Sequence, residues 1–366
     1  MVTGHLREKN GYFHIVLNYK DEGRRRSKSI STGLQIKGNK KRAEAMLIEA
    51  RQEFKETMKK PEKTNDILFT DFLQNWLELM KSRVEATTYA GYSKLINTRI
   101  IPYFKPKNLG LQDLSAKHIQ DFYQLELMRV SANTVIHYHA NIRKSLQHAF
   151  KLGLIDINPA DRVDRPRKEK FVGSVYDERE LKNLLNIVKG TTIEMAVILG
   201  AFYGLRRSEV VGLKWSAIDF RKKTITIKHT VTEFTLDGKL IIAEKDGAKT
   251  KSSYRTLPLI APFEELLHRV KKEQEQNRKV CGNAYCKDYL EYVCVNQLGE
   301  LIRPNYITQH FALVLKNNKL RKIRFHDLRH SCASLLYANG VSLKEIQEWL
   351  GHGDIATTSN IYTHLD

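Results

Sequence analysis

Two short segments in the C-terminal half of the chain combine arginine, histidine and glutamate in patterns that suit chemistry on a phosphate group. In Gly-Leu-Arg-Arg-Ser-Glu, residues 204–209, an apolar stretch ends in a turn that presents Arg206, and Glu209 can hold a neighbouring backbone group or charge. In His-Asp-Leu-Arg-His, the i, i+3 spacing puts His326 and Arg329 on one helix face, where an imidazole and a guanidinium can converge on one phosphate. A turn arginine by itself is more often simply solvated.

Two further segments carry a lysine pair and a tyrosine that could complete such a site. Lys249 and Lys251 belong to a basic, hydroxyl-rich stretch, interpreted as a hairpin tip that leads into an apolar strand and can enter a DNA groove or remain a solvated turn. A helix end at His352 is followed by Asp354, which caps two further helical turns carrying Tyr362. Since the chain has 16 tyrosines and a lone tyrosine usually serves packing, spacing alone does not select Tyr362.

The composition narrows the class of partner. The chain has 366 residues, with 61 Lys and Arg against 41 Asp and Glu, a formal net charge of +20 that is spread along its length. This surplus indicates a polyanionic partner, nucleic acid first and an acidic membrane surface second, with a merely soluble basic enzyme as the alternative. A hydrophobic fraction of 42% excludes wholesale disorder. No long apolar run or secretory signal is present, which predicts a cytosolic protein.

The four cysteines give no metal-binding pattern. They are Cys281, Cys286, Cys294 and Cys332, and none of them forms the paired C-x2-C spacing of a zinc ribbon. The sequence therefore predicts unpaired thiols and no metal site.

Residues 1–60 are predicted to form a small sheet packed on one helix. Apolar residues at period two are followed by a turn and a basic run, which predicts a hairpin, and a four-residue apolar repeat predicts the helix. The period-two residues are Phe13, Ile15, Leu17 and Tyr19, and the helix repeat is Met46, Ala50, Phe54 and Met58. The basic run contains Arg24, Arg25, Arg26 and Lys28. It either contacts phosphate or forms a solvated edge that discourages aggregation.

Residues 65–160 are predicted to form a four-helix, all-α unit. Ser115 and Ser131 are placed as N-caps of its last two helices. The polar side of the last helix suits phosphate or base contacts, or is a solvated face, and carries His137, His139, Arg143, Lys144 and His148. The proline-containing residues 161–171 are predicted to be a linker.

Residues 172–366 are predicted to mix helices with short strands, which is an α+β pattern. Helices are expected over residues 181–188, 195–204 and 326–338, and strands over residues 224–228 and 254–259. Asp237 and Gly238 predict a hairpin turn, and Ser342 with Glu345 predicts a capping box at the start of another helix.

Taken in order, these motifs resemble the tyrosine recombinases, the phage and transposon integrases. The motifs are Gly-Leu-Arg-Arg-Ser-Glu, Lys-Thr-Lys-Ser-Ser, His-Asp-Leu-Arg-His, Leu-Gly-His and the tyrosine that follows. The resemblance implies a multidomain, mainly α fold with small β-sheets. It assigns residues 1–60 to an arm-type DNA-binding module, residues 65–160 to a SAM-like core-binding domain and residues 172–366 to an α+β catalytic domain.

The resemblance also implies an active site and its chemistry. The catalytic residues would be Arg206, Lys249, His326, Arg329, His352 and Tyr362, with Lys251 as the rival of Lys249. DNA contacts are expected from Arg24, Arg25, Arg26, Lys28, Arg143, Lys144 and Lys251. The tyrosine would attack a DNA phosphodiester and form a 3′-phosphotyrosine that stores the bond energy, so that no cofactor and no metal is needed.

The implied function is site-specific recombination that integrates or excises a mobile genetic element. The resemblance implies a homotetramer on core and arm attachment sites in double-stranded DNA. An excisionase and a host DNA-bending protein are candidate partners, no membrane is involved, and the location is the bacterial cytoplasm at the nucleoid. A type IB topoisomerase and a DNA-binding regulator that has lost the reaction are the alternatives. Because only four residues follow Tyr362, where the family usually has a segment that packs on a neighbouring protomer, the mode of assembly stays open.

Overall fold

A computed structural model describes residues 2–21, 24–58, 67–169, 173–247 and 254–354. The predicted residues Lys249, Lys251 and Tyr362 lie outside these ranges. The chain divides into two compact units, Met1–Ile67 and Leu68–Asp366. No helix within the described ranges is long and apolar enough to cross a membrane.

The first unit is a three-stranded antiparallel sheet with one helix. Its elements are β1 (Thr3–Lys9), β2 (Tyr12–Asp21), β3 (Arg24–Gln35) and α1 (Lys40–Met58), and the strand order is β1-β2-β3. The predicted hairpin is β2 and β3, while the sequence gives little sign of β1 because Leu6 is its one large apolar residue. The period-two residues Phe13, Ile15 and Leu17 are buried as expected.

The register of β2 and β3 separates the basic run into two faces. Lys28 pairs with the buried Leu17, so both side chains point to the face that α1 covers, and the Lys28 Nζ lies 5.5 Å from the ring centroid of Phe54. Arg25 alternates with these residues and therefore lies on the opposite, open face of the sheet.

The second unit begins with the predicted helical bundle. Its helices are α2 (Phe69–Lys81), α3 (Ala86–Leu95), α4 (Ile101–Phe104), α5 (Ala116–Leu127) and α6 (Ala132–Lys151). A π segment, Ile96–Ile100, joins α3 to α4, and the N–H of Ile101 donates to the carbonyl of Ile96. Proline lacks the N–H of a regular helix, so hydrogen bonding changes next to Pro102 while the helical path continues.

Both predicted N-caps of this bundle are confirmed, and one face assignment was wrong. Ser131 occupies the N-cap position of α6 without a capping hydrogen bond from its side chain, and Ser115 forms a capping box with His118. His139 does not belong to the polar face of α6, because it is buried and its Nδ1 lies 3.0 Å from the hydroxyl of Tyr123. Burial and nearby arginines lower the pKa of His139.

The rest of the second unit mixes helices with short strands, as predicted. It contains α7 (Glu178–Val188), α8 (Glu194–Phe202), α9 (Arg207–Val211), α10 (Ala261–Cys281), α11 (Pro304–Asn317), α12 (Asp327–Ala338) and α13 (Leu343–Leu350). The strands are β4 (Ile218–Asp219), β5 (Thr224–Ile227), β6 (His229–Leu236), β7 (Lys239–Asp246) and β8 (Arg255–Pro258). They form one sheet in the order β4-β5-β8 and a separate β6-β7 hairpin.

The predicted turn between β6 and β7 is confirmed, and β7 and β8, the described strands on either side of residues 248–253, do not pair with each other. Asp237 and Gly238 have φ angles of 50° and 76°, the left-handed pair that a type I′ turn requires. β7 pairs with β6 and β8 pairs with β5. The described strands that flank Lys249 and Lys251 in sequence therefore belong to two different sheets.

The backbone at Gly212 lies in close contact with the backbone of β6, and this contact holds α9 against that strand. A methyl group on Gly212 would meet the carbonyl oxygen of His229 at 2.6 Å and the Cα of Thr230 at 2.7 Å. Both atoms are backbone, so the clash has no flexible side chain to relieve it. The approach fixes α9, the helix that follows Arg206.

We predict that Gly212→Ala lowers the free energy of unfolding by about 2–3 kcal/mol, because overpacking against backbone forces the two elements apart. Gly91→Ala is the matched control in the same compact unit, since Gly91 lies in α3 and a methyl group there would have no heavy atom within 4 Å. The control should gain roughly 0.5–1 kcal/mol from helix propensity. Urea unfolding followed by circular dichroism measures both, and equal stability of the two variants would contradict the prediction.

Candidate active site

Three successive backbone carbonyls at the C-terminal end of α13 each accept a hydrogen bond from a different arginine. Arg255 Nε donates to the Trp349 carbonyl at 2.7 Å, and Arg329 Nη2 donates to the Leu350 carbonyl at 2.6 Å. Arg206 Nη2 donates to the Gly351 carbonyl at 2.9 Å. Carbonyls at a helix C-terminus have no partner within the helix and lie at the negative end of its dipole, so they suit cations.

Local sequence fixes the position of α13. Ser342 and Glu345 form the predicted capping box at its start, and Gly351 ends it with a φ of 68°. Ile346 and Leu350 are buried in a small core that they share with α12. The helix end is therefore also held by contacts that do not involve the arginines.

Arg329 is enclosed by backbone and by a histidine. Its side chain is 1% exposed, and Nη1 donates to the carbonyl of Gly204 while Nε lies 3.3 Å from His352 Nε2. Gly204 has a φ of 61°, and a methyl group there would overlap Leu350, so the turn needs glycine. Burial and the charge of Arg206 lower the pKa of Arg329 to about 9, which still leaves the guanidinium charged at neutral pH.

Glu209 joins the other two arginines, as its sequence position suggested. Its Oε1 accepts from Arg206 Nη1 at 2.7 Å, and its Oε2 accepts from Arg255 Nη2 at 3.0 Å and from the backbone N–H of Arg206 at 3.0 Å. The Glu209 side chain is 3% exposed and that of Arg255 is 6% exposed. Burial opposes ionisation of Glu209, but Arg255 and Arg206 outweigh it and lower the carboxyl pKa.

Two histidines beside the arginines are held in the neutral form. Burial, followed by the charges of Arg329 and Arg206, lowers the pKa of His352 to about 3. Partial desolvation, followed by His330 and Arg329, lowers the pKa of His326 to about 4. His326 directly precedes α12, and its ring packs edge-on against that of His330 at 5.2 Å.

A cleft of about 740 Å³ opens in front of Arg206. Its walls include residues 85–87 at the start of α3 and parts of β6 and β7, and Gly351 and Gly353 line it as well. Lys245 Nζ lies 2.7 Å from Glu85 Oε1, so an ion pair spans the cleft between the helical bundle and the β6-β7 hairpin. Of the arginines at the end of α13, Arg206 is the accessible one, with 34% of its side chain exposed.

The structure brings Arg206, Arg329 and His352 together at the end of α13, and it leaves two predicted DNA contacts elsewhere. Arg143 pairs with Asp161 at 2.6 Å, and Lys144 Nζ donates to the Tyr92 hydroxyl at 3.1 Å, both on the exposed side of the helical bundle. Within the described ranges no group of three or more side chains could hold a metal ion.

Sequence reasoning missed Arg255. A signal was present, because β8 alternates buried and exposed residues and Arg255 shares the inward face with Leu257. A charged residue at an inward strand position indicates a buried partner of opposite charge. Trp349 stacks on Tyr203 with ring centroids 6.0 Å apart.

Comparison with known proteins identifies the family of the chain. Residues 174–366 match the model of the phage integrase family, and residues 68–128 match the N-terminal SAM-like domain of phage integrase. A protein named tyrosine recombinase XerC-like from Caldanaerobacter subterraneus subsp. tengcongensis is 26% identical over 82% of this chain and 80% of its own. The ICEBs1 integrase of Bacillus subtilis is 26% identical over 88% of this chain and 86% of its own.

Solved structures share the fold. The Tn1549 transposon integrase in complex with a circular intermediate DNA aligns with a TM-score of 0.65 and 20% identity, covering 80% of this chain and 95% of that one. A lambda integrase dimer bound to a COC′ core site aligns with a TM-score of 0.59 and 18% identity, covering 97% of this chain and 93% of that one. Since the phage integrase model covers more than half of the chain, the protein belongs to the phage integrase family of tyrosine recombinases, which break and rejoin DNA strands at specific sites.

Proposed function

We propose that the protein integrates or excises a mobile genetic element by cleaving DNA with Tyr362 and rejoining it through a 3′-phosphotyrosyl intermediate. The observation that carries this proposal is the convergence of Arg206, Arg329 and His352 on the C-terminal turn of α13. That turn leads directly into the segment that contains Tyr362. Attack of its oxygen on a phosphodiester is an in-line displacement, which needs positioning and charge stabilisation above all.

In this mechanism Arg206 and Arg329 stabilise the negative charge that develops on the non-bridging phosphate oxygens. Arg206 is the accessible donor at the cleft, while the buried Arg329 also holds Leu350 and His352. Removing one preorganised donor of this kind slows a reaction about 100- to 1,000-fold.

The neutral histidines and a lysine accept protons, donate protons or hydrogen-bond the phosphate. A neutral His326 accepts the proton that Tyr362 loses as it attacks, and His352 hydrogen-bonds the phosphate. Lys249, with Lys251 as its rival, returns a proton to the leaving 5′-hydroxyl. The energy of the broken bond stays in the phosphotyrosine, so the scheme uses neither a cofactor nor a metal.

The proposed function also includes an oligomeric state and partner proteins. We propose a homotetramer on paired attachment sites, working in the bacterial cytoplasm at the nucleoid, with an excisionase and a host DNA-bending protein as accessory partners. A lambda integrase tetramer bound to a Holliday junction aligns with this chain at a TM-score of 0.60 and supports the proposed assembly.

We predict that Tyr362→Phe abolishes the covalent adduct that the wild-type protein forms with a nicked suicide duplex, because phenylalanine has no attacking oxygen. A denaturing gel measures the adduct. Binding to the same duplex, measured by mobility shift, should persist. An adduct that survives the substitution would remove Tyr362 from the mechanism.

We also predict that stability falls on acidification because His352 stays neutral in the fold. Its pKa is about 3 when folded and about 6.5 when unfolded. Between these pH values the unfolded chain binds more protons than the folded protein. The contribution of His352 to the free energy of unfolding is therefore complete above pH ~6.5 and is lost as the pH falls. Between pH ~6.5 and ~5, protonation linked to His352 lowers the free energy of unfolding by at most about 2 kcal/mol.

Urea unfolding at the two pH values tests this, and His352→Gln should flatten the dependence because glutamine does not titrate. An unchanged slope in His352→Gln would contradict the assignment of the neutral imidazole.

For the first unit we propose arm-type DNA binding through the open face of its sheet. Arg25 lies on that face, and Arg7 shares it because Arg7 pairs with His14 on the side away from the buried Ile15. Basic side chains on an uncovered sheet can contact phosphates, whereas Lys28 faces α1 and Phe54.

We predict that Arg25→Ala weakens binding to arm-site DNA and reduces the slope of log affinity against log salt by about 0.9, the effect of one lost phosphate contact. Lys28→Ala is the matched control, with the slope preserved. Deletion of residues 1–60 should abolish arm-site binding and leave core-site cleavage intact. Filter binding over a salt series reports the first two results, and equal slopes for the two alanine variants would refute the open-face assignment.

A further inference from the structure

Arg255 is a buried arginine beside the active site that the proposed chemistry does not use. It donates from Nη1 to Glu209 Oε1 at 3.3 Å and from Nη2 to Glu209 Oε2 at 3.0 Å, so its planar fork holds both oxygens of one carboxylate. Its third contact runs from Nε to the carbonyl of Trp349 at 2.7 Å. These contacts occupy Nε, Nη1 and Nη2 of a guanidinium that is 6% exposed, and Arg255 does not line the cleft in front of Arg206.

The two hydrogen bonds from Arg255 fix the orientation of the Glu209 carboxylate relative to Arg206. Arg206 Nη1 binds the same Oε1 atom at 2.7 Å, so the two arginines share one carboxylate. If Arg255 were absent, the buried carboxylate would have Arg206 as its remaining cationic partner among the contacts described. The Glu209 carboxylate would then rotate toward Arg206 and accept hydrogen bonds from the Arg206 N–H groups that the phosphate needs.

The third contact ties β8 to the end of α13. The Trp349 carbonyl that Arg255 binds directly precedes the carbonyls of Leu350 and Gly351, which bind Arg329 and Arg206. The same strand accepts a second link, because the Tyr203 hydroxyl donates to the carbonyl of Pro258 while its ring stacks on Trp349. Movement of Arg255 would therefore shift the carbonyls on which both catalytic arginines rest.

We propose that Arg255 is a positioning residue, whose guanidinium holds the Glu209 carboxylate and the last turn of α13 so that Arg206 keeps donors available for the scissile phosphate. Arg255 does not touch the reacting atoms and acts through Glu209. This inference rests on the proposed function, since it assigns Arg255 a part in the same strand cleavage.

The test is single-turnover cleavage of the suicide duplex by Arg255→Lys. Lysine keeps the charge but has a single ammonium in place of the planar fork. We expect the cleavage rate to fall about 100-fold, the effect typical of a misplacement of about 1 Å in an active site. The dissociation constant for the duplex should change less than about threefold, because Arg255 does not face the cleft surface.

A double-mutant cycle with Glu209→Gln distinguishes a positioning role from independent damage. If Arg255 acts through Glu209, the double variant cleaves no more slowly than the slower single variant. If the two reductions in rate multiply, the proposal is wrong.

Leu184→Ala controls for a general loss of stability, because Leu184 is a fully buried residue of α7. At temperatures well below its Tm this variant should cleave at the wild-type rate, even where its Tm matches that of Arg255→Lys. Should Arg255→Lys fail to fold, Arg255→Gln takes its place in the cycle.

The outcomes separate this inference from the function on which it rests. A wild-type protein that forms no adduct would overturn the proposed cleavage itself. A wild-type protein that forms the adduct, with an undiminished rate in Arg255→Lys, would overturn the positioning role alone.

Discussion

The candidate active site depends on the C-terminus of one short helix. The carbonyls of Trp349, Leu350 and Gly351 have no partners within α13, and each binds an arginine from a different part of the fold. The contact between Arg206 and Gly351 joins positions 145 residues apart in sequence. A helix end supplies fixed hydrogen-bond acceptors and a partial negative charge without any acidic side chain. It can therefore bind several arginines without cancelling their full positive charge.

That property suits a phosphate site. The described cluster contains Arg206, Arg255 and Arg329 against the carboxylate of Glu209, which leaves it with a positive surplus. Burial and then repulsion from Arg206 lower the pKa of Arg329, while hydrogen bonds to backbone oxygens keep it in place. Under the proposed function, the phosphodiester of the DNA would supply the negative charge that balances this surplus.

Much of the local structure was predictable from residue patterns. Short-range rules correctly predicted the β2-β3 hairpin, the type I′ turn at Asp237 and Gly238, and the capping box at Ser342. The same rules failed where local signal was weak, since β1 is stabilised by pairing and not by its own alternation. His139 was assigned to the wrong face because its hydrogen bond to Tyr123 comes from another helix.

The sequence by itself determined the ordered set of motifs, the basic charge and the family resemblance, because these depend on residue identity and spacing. Only the tertiary structure decided that Arg255 joins Arg206 at Glu209, and that Lys28 faces α1 while Arg25 lies on the open side of the sheet. These features depend on strand register and on the contacts of a helix end with distant segments. Neither is encoded within a window of neighbouring residues, since burial and pairing arise only when the whole chain packs.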